Sequence, residues 1–447
     1  MLYFATGRHA IRLNGEELIA KTLNIISNSC AKVDFQYTCV RIVHELQFKG
    51  MAIRSLKSWL MPIISRRLLS RERLLQQRAR AERKRSAQGR PHTVHFFHQA
   101  DDPYSQLLAH VLPRLQAKYK VTLETHPVKA PEDSAVPERK RLEVYSQVDA
   151  KRLADYHQLN WPVEATTVAH DSASTQQMEA NQALRKKWGH YLGGTLYYEG
   201  EWYWGIDRLH HLEDRLNQLG LCNGPYAGPL FSVKQYEPLQ RIDQGTDIDF
   251  FFSFRSPYSA ISAAKVLPWA RQSGVQVKLR YVLPMVMRGL AVPAEKRRYI
   301  SLDAAREAFQ QGVPFGCLND PLGKPTERGL ALMPFAEMHN AAEAYVLSFM
   351  KGVWSEGLDA GCDQHLQIIV ERAGLNWNAA KELLNSTANE AHWRAIAEHN
   401  RQDLFAHGLW GVPSFKFQDT AVWGQDRFWV IEKALRDKFN TDAGEPL

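Results

Sequence analysis

The chain has 447 residues, 45% of them hydrophobic and 23% charged, which is typical of globular proteins and long enough for two domains. No stretch approaches the roughly 20 uninterrupted apolar residues of a membrane span, and the N-terminus lacks the residue order of a secretory signal. Five dispersed cysteines without a Cys-x-x-Cys pair argue against a disulfide framework. We therefore expect a cytoplasmic protein.

The net charge of +8 is concentrated near the N-terminus. Residues 51–90 hold twelve Lys/Arg and two Glu, a local charge of +10, while residues 1–50 add +2 and leave −4 for residues 91–447. We predict a leader and a basic helical arm over residues 1–92, and the sequence leaves open whether the protein starts at Met1 or Met51. Such an arm is most often a solvated helix, which is our prediction, and a weak contact with a membrane surface is the alternative.

A degenerate repeat organises the rest of the chain. Residues 96–105 (FFHQADDPYS) match 250–259 (FFFSFRSPYS) at an offset of 154 residues. Further on, Trp-Gly-x-Asp-Arg occurs at 204–208 and again at 423–427, an offset of 219 residues. Two matched ends in the same order indicate two copies of one domain, and the larger second offset places a longer insert in the second copy.

The elements of the second copy follow a recognisable order. Residues 248–254 are a dense apolar run typical of a buried strand, and Ser256-Pro257 predicts a helix start because serine caps a helix and proline suits its first position. A second strand is predicted at 276–284, helices across 296–406, strands at 414–417 and 421–423, and a closing helix at 426–438. This order predicts an α/β protein of two tandem thioredoxin-like, DsbA-like domains at 93–235 and 246–440, each with a helical insert, after the basic N-terminal helical arm.

The chemistry of such a domain is expected where its first helix begins. Oxidoreductases of this fold place Cys-x-x-Cys there, whereas this chain has Ser256-Pro257-Tyr258-Ser259. Neither serine can form a disulfide, so exchange through this motif is excluded and the protein is not a Cys-x-x-Cys disulfide oxidoreductase. What remains is a hydroxyl donor at a helix N-terminus, a site suited to an anion such as a bound thiolate.

The second copy resembles the family of 2-hydroxychromene-2-carboxylate isomerases and kappa-class glutathione transferases. The resemblance implies that glutathione is the cofactor and that Ser256 is the catalytic residue that activates it. It implies contacts to glutathione from the Gly411-Val412-Pro413 loop, whose proline is cis in the family. The remaining positions that it implies are Lys296, with Tyr299 and Asp303 in the same segment, and Gln425 and Asp426 in the loop that holds the γ-glutamyl end.

The first copy departs from this pattern at the positions that carry the chemistry. It has Asp102 in place of Ser256 and Gly194 in place of Pro413. Aspartate caps a helix as well as serine does, but a carboxylate repels a thiolate, and glycine removes the constraint that favours a cis bond. We therefore interpret the first copy as a binding or packing partner of the second.

Three functions follow from these observations. The leading hypothesis is glutathione-dependent isomerisation of an aromatic-derived unsaturated oxo-acid, a small-molecule substrate like 2-hydroxychromene-2-carboxylate. The alternatives are glutathione transfer and a non-catalytic thioredoxin-fold binding protein. No metal is assigned, because a strand would direct His95 away from His92 and His98. No specific nucleic-acid partner is expected, and the sequence leaves the oligomeric state open.

Overall fold

A computed structural model describes residues 2–6, 9–13, 53–161, 174–233, 236–239, 245–290 and 292–440. The chain divides into one unit at residues 1–60 and a second at 61–447. In the first unit, strands β1 (Leu2–Thr6) and β2 (His9–Leu13) pair antiparallel. Most of the predicted leader and the predicted boundary at residue 235 lie outside the described residues.

The second unit contains two four-stranded mixed sheets. In the first copy the strands are β3 (Thr93–His98), β4 (Thr122–Pro127), β5 (Thr195–Tyr198) and β6 (Glu201–Trp204), in the sheet order β4-β3-β5-β6. In the second copy they are β7 (Asp247–Phe252), β8 (Gln276–Tyr281), β9 (Ser414–Phe417) and β10 (Thr420–Trp423), in the order β8-β7-β9-β10.

The two sheets share their register as well as their order. In the parallel pairs, Thr93 lies opposite Thr122 and Asp247 opposite Gln276, a shift of 154 residues for both strands. In the antiparallel pairs, His95 faces Tyr197 as Asp249 faces Lys416, which keeps the offsets of 154 and 219. The chain is therefore an α/β protein with two tandem thioredoxin-like domains of the DsbA type.

Helices flank both sheets and account for the difference between the two offsets. The N-terminal arm and the first copy contain α1 (Ile53–Leu68), α2 (Arg71–Ala87), α3 (Pro103–Lys118), α4 (Arg139–Tyr156), α5 (Thr175–Trp188) and α6 (Leu209–Gln218). The second copy contains α7 (Pro257–Ser273), α8 (Ala294–Gln310), α9 (Lys324–Ala331), α10 (Met333–Met338), α11 (Ala342–Lys351), α12 (Asp363–Arg372), α13 (Trp377–Leu383), α14 (Thr387–Ala406) and α15 (Phe428–Asn440).

Each sheet has its own apolar core. Phe96 and Tyr203 are fully buried in the first copy, and Phe250, Phe252 and Phe415 in the second. Burying one large apolar side chain stabilises a fold by roughly 1.5–3 kcal/mol, so buried aromatic side chains contribute strongly to the stability of both sheets. Within the described residues, no helix is both long enough and apolar enough to cross a membrane.

The prediction that the basic arm is a solvated helix holds only in part, because no residue of α2 is buried but α1 packs against the second copy near its end. The arm is two helices, because Ser70 ends the first and caps the second by accepting from the Arg73 N–H. Ser65 is buried, and its hydroxyl exchanges hydrogen bonds with the backbone of Leu318 in the second copy. The arm therefore packs against the domains through polar contacts that its charge pattern did not indicate.

Replacing Arg78 with alanine should lower the free energy of unfolding by about 1.5 kcal/mol. Arg78 donates twice to Glu201 of the first copy, from Nε at 2.6 Å and from Nη2 at 2.9 Å, and a hydrogen bond to a charged group is worth roughly 1.5–3 kcal/mol. Arg215 and Arg306 also contact Glu201 and keep its carboxylate paired, which places the loss at the lower end. Urea unfolding measures the change.

Arg80 provides the control, since it is exposed on the same helix. Its replacement by alanine should change the free energy of unfolding by less than about 0.5 kcal/mol. Equal effects of the two substitutions would contradict a packed arm. Removing residues 1–90 should also destabilise the protein, because it removes the contacts of Ser65 and Arg78.

Candidate active site

Ser256 lies directly before the first helix of the second copy. It is the N-cap of α7, with extended backbone, and Pro257 occupies the first helical position as its fixed φ allows. The Ser256 Oγ accepts from the Ser259 N–H at 3.1 Å and donates to the Val412 carbonyl at 3.3 Å. The hydroxyl therefore spans a helix N-terminus and a backbone carbonyl more than 150 residues away in the sequence.

The Val412–Pro413 loop is the second component of the site. Its peptide bond is cis, as the resemblance implied, and the Pro413 carbonyl accepts from the Gly424 N–H at 3.0 Å. The Ser414 hydroxyl donates to the Gly411 carbonyl at 2.8 Å and closes the turn. Ser256, Val412 and Pro413 are thus brought together.

Gln425 and Asp426 follow this loop, but their side chains are engaged elsewhere. Gln425 donates to Glu307 at 2.7 Å and accepts from the Gln311 amide at 2.7 Å. Asp426 accepts from Arg208 of the first copy at 2.7 Å. Their predicted role in holding a γ-glutamyl group remains a prediction, since both side chains bind protein groups in the structure.

Lys296 packs against the first copy. Its ammonium group donates to the Ala135 carbonyl at 2.8 Å and lies 5.7 Å from the centre of the Tyr191 ring. Burial lowers the pKa of Lys296 to about 8. The structure does not join Lys296 to the Ser256 hydroxyl, so its predicted contact with glutathione remains a prediction.

In each Trp-Gly-x-Asp-Arg motif, the arginine donates to the aspartate of the motif in the other copy. Arg208 of the first copy donates to Asp426 of the second at 2.7 Å, and Arg427 of the second donates to Asp207 of the first at 2.7 Å. These reciprocal contacts are the arrangement that an approximate twofold axis produces, as in an isologous dimer interface. The motif that the sequence assigned to ligand binding therefore joins the copies.

Each of these two arginines also contacts a second carboxylate, which lies in the second copy for Arg208 and in the first copy for Arg427. Arg208 also contacts Asp303 at 3.0 Å, and Arg427 also contacts Asp149 at 2.8 Å. Tyr258 donates to Asp303 and Tyr104 to Asp149, so both halves of the network repeat at the offset of 154 residues. Asp149 is not among the site residues that the sequence predicts. Applying the 154-residue offset to Asp303 would have found it.

Burial and the neighbouring arginines have opposite effects on the pKa values of the aspartates in this network. Burial raises the pKa of Asp426, but the guanidinium groups of Arg427 and Arg208 outweigh it and hold that pKa below the usual aspartate value. Burial raises the pKa of Asp207 to about 6, against the effect of Arg427. Near neutral pH the two arginines therefore face ionised carboxylates across the interface.

A cavity of about 70 Å³ opens between the copies beside this network. Residues of both copies line it, including Asp207, His210, Gln311, Gln425 and Asp426. Ser256 does not line this cavity, so the space lies near the predicted γ-glutamyl loop rather than at the serine.

In the first copy, Asp102 caps the helix that corresponds to α7, and Gly194 replaces the proline of the facing loop. Asp102 accepts from the N–H groups of Tyr104 and Ser105, at 3.3 and 3.1 Å. Gly194 has a φ of +62°, where a Cβ would lie 3.0 Å from the Asp102 carboxylate, so glycine is required for this close approach. Burial raises the pKa of Asp102 to about 7, so near neutral pH this group is partly protonated and is not the fully ionised carboxylate expected from the sequence.

Asp102→Asn should change how stability depends on pH. A raised pKa means that the folded state binds more protons than the unfolded state between about pH 4 and 7, so the wild type loses stability as pH rises through that window. Asparagine caps the helix without this titration. The stability of the variant relative to wild type should therefore rise from pH 4.5 to pH 8, as measured by urea unfolding.

Asp419→Asn, at an exposed position of the second copy, should leave this pH dependence unchanged. A constant difference between Asp102→Asn and wild type at both pH values would contradict the burial of the Asp102 carboxylate.

Comparisons with known proteins cover the second copy. Residues 247–436 match the family described as a DSBA-like thioredoxin domain. A 2-hydroxychromene-2-carboxylate isomerase of Sphingobium xenophagum is 26% identical over 198 residues, which are 42% of this chain and 98% of that protein. A protein of the same name from Pseudomonas putida is 23% identical over 196 residues, 42% of this chain and 93% of that protein.

Among solved structures, a 2-hydroxychromene-2-carboxylate isomerase aligns with a TM-score of 0.39 and 22% identity, over 44% of this chain and all of that one. The chain thus contains a DsbA-like thioredoxin domain with distant homologues that are named isomerases. These matches span less than half of the chain.

Proposed function

We propose that the protein is a glutathione-dependent isomerase of a small unsaturated oxo-acid derived from an aromatic compound, of the 2-hydroxychromene-2-carboxylate type. One observation carries the proposal: a serine hydroxyl stands at the helix N-terminus where redox relatives have a thiol, hydrogen-bonded to the loop that contains Pro413. The distant homologues, named as isomerases over nearly their whole length, support it. We include a cytoplasmic setting in the proposal, since the described cysteines Cys222, Cys317 and Cys362 are free.

The residues beside Ser256 fit a thiolate. The hydroxyl is a proton donor, it is half-buried, and it begins a helix whose dipole favours negative charge. Arg427 and Arg208 are paired with carboxylates. In this proposal the Ser256 hydroxyl, and neither arginine, is therefore the group that donates to the thiolate. Glutathione, when bound, would supply the nucleophilic thiolate for reversible addition to a conjugated double bond.

The chain's own residues would then position the thiolate and stabilise its negative charge. Ser256 would donate its hydroxyl hydrogen bond to the anionic sulfur in place of the Val412 carbonyl, which accepts it in the structure, and this bond would lower the pKa of the thiol. The side chain of Pro413, which is buried, would restrict water next to the serine. Gln425 and Asp426 would contribute only if they exchanged their present partners, which makes them secondary in this proposal.

The test is an absorbance assay with 2-hydroxychromene-2-carboxylate, with and without glutathione, combined with a thiol count at the end. We expect isomerisation that requires glutathione and consumes none of it. Net loss of thiol would replace the proposal with glutathione transfer. Absence of saturable glutathione binding in calorimetry would overturn both and leave a binding protein.

A further inference from the structure

Three side chains with metal-binding donor atoms meet on the sheet of the first copy. His95 lies on an inner strand opposite Glu124 of the neighbouring parallel strand, and His126 is two residues further along that strand. Because residues two apart on a strand share a face, the three side chains project from one side of the sheet. Spacing along one strand cannot indicate this group, because Glu124 and His126 lie on the neighbouring strand.

The distances between the donor atoms suit a single ion. His95 Nδ1 lies 3.0 Å from His126 Nε2, and the nearest oxygens of Glu124 lie 3.3 and 3.6 Å from these nitrogens. Ligands about 2.0–2.1 Å from a tetrahedral zinc ion stand roughly 3.3–3.4 Å apart. The three measured separations bracket that value, so small side-chain adjustments bring all three donors onto one metal ion.

The second copy shows that the fold does not need these residues. At the offset of 154 residues, the positions of His95, Glu124 and His126 are taken by Asp249, Lys278 and Arg280. There Arg280 donates to Asp249 across the strands at 2.8 Å. An ordinary ion pair therefore occupies the corresponding place, and the structural requirements of the sheet do not explain two imidazoles and a carboxylate.

The surroundings hold the rings in place and leave one side open. Trp188 of α5 packs edge-on against His95 with ring centres 5.0 Å apart, and Phe97 stacks on His126 at 4.8 Å. The Glu124 side chain is 55% exposed, against 9% for His126. An ion can therefore enter from the glutamate side and keep solvent at its remaining position.

We propose that His95, Glu124 and His126 bind one divalent transition-metal ion, with Zn²⁺ as the best match. Two imidazole nitrogens select a late first-row metal over Mg²⁺ or Ca²⁺, which prefer oxygen ligands. Three protein ligands with solvent at a fourth position is the pattern of an open zinc site. The site lies in the first copy and does not depend on the function proposed for Ser256.

The experiment is a calorimetric titration of metal-stripped full-length protein with Zn²⁺, compared with a variant that carries the residues of the second copy, His95→Asp with Glu124→Lys and His126→Arg. We expect the wild type to bind one more equivalent of Zn²⁺ than this variant. Zn²⁺ should also raise the unfolding midpoint of the wild type and not that of the variant, because an ion that binds the folded state stabilises it.

Two further variants keep the result interpretable. Glu124→Gln retains both histidines and should weaken Zn²⁺ binding by at least about 10-fold, which tests the site even where the triple variant does not fold. His399→Ala removes an exposed histidine elsewhere and should leave the binding unchanged. Equal stoichiometry and affinity in wild type and triple variant, or in wild type and Glu124→Gln, would overturn the proposal.

Discussion

Replacing Arg427 with methionine should lower the free energy of unfolding by about 3–5 kcal/mol. Arg427 is 4% exposed, and its guanidinium donates to Asp149 at 2.8 and 3.1 Å and to Asp207 at 2.7 and 2.8 Å. Removing one partner of a buried ion pair leaves an uncompensated charge, which costs about that amount. Urea unfolding at pH 7.5 measures it, and a second transition would indicate that the copies no longer unfold together.

Two controls show how much of the lost stability comes from the unpaired carboxylates and how much from removing a charged side chain in general. Adding Asp149→Asn and Asp207→Asn to Arg427→Met removes two of the unpaired negative charges and should restore part of the stability, because a buried neutral amide costs less than a buried unpaired charge. Lys433→Met, at an exposed ion pair on the next helix, should cost less than about 0.5 kcal/mol. A loss below about 1 kcal/mol in Arg427→Met would contradict the role given to this network.

Ser256→Ala should slow the thiolate-dependent reaction by about 10- to 150-fold. A hydrogen bond to a charged group is worth roughly 1.5–3 kcal/mol, which converts to that range of rates. The stability should fall by only about 1 kcal/mol, the usual value of a helix cap. Steady-state rates at saturating glutathione, together with urea unfolding, distinguish the two effects.

The first copy supplies the matched control. Asp102→Ala removes the equivalent cap and should cost a similar stability with no loss of rate, while Ser256→Thr keeps a hydroxyl and should recover part of the activity. Equal losses of rate at the two positions would show that the first copy takes part in the reaction. An unchanged rate in Ser256→Ala would remove the main support for the catalytic assignment.

The sequence predicted the elements best where local signals were strong. Ser256 and Pro257 predicted the start of α7, and the helix begins at Pro257 with Ser256 as its cap. The strand expected to reach residue 284 ends at Tyr281, shortly before Pro284, whose missing N–H cannot join a ladder. Capping and proline chemistry act within a few residues, and a single sequence reports them directly.

The contacts of the site residues were harder to predict where their partners lie in the other copy. Asp426 and Lys296 were assigned to glutathione, whereas in the structure they bind Arg208 and the Ala135 carbonyl of the first copy. Those contacts join residues more than 150 positions apart, and no local pattern encodes them. The recurrence of Trp-Gly-x-Asp-Arg in both copies was the usable signal, because a paired acid and base in each half is what a reciprocal exchange requires.

The reciprocal exchange also has a genetic consequence. In an assembly of two identical chains, one codon would specify both sides of each contact, and every substitution would appear twice. Here Asp207 and Asp426 have separate codons, as do Ser256 and Asp102, so one half can change while its counterpart stays fixed. Both arginine contacts persist beside a serine in one half and an aspartate in the other. Linkage in one polypeptide also fixes the ratio of the two halves at one to one, at any protein concentration.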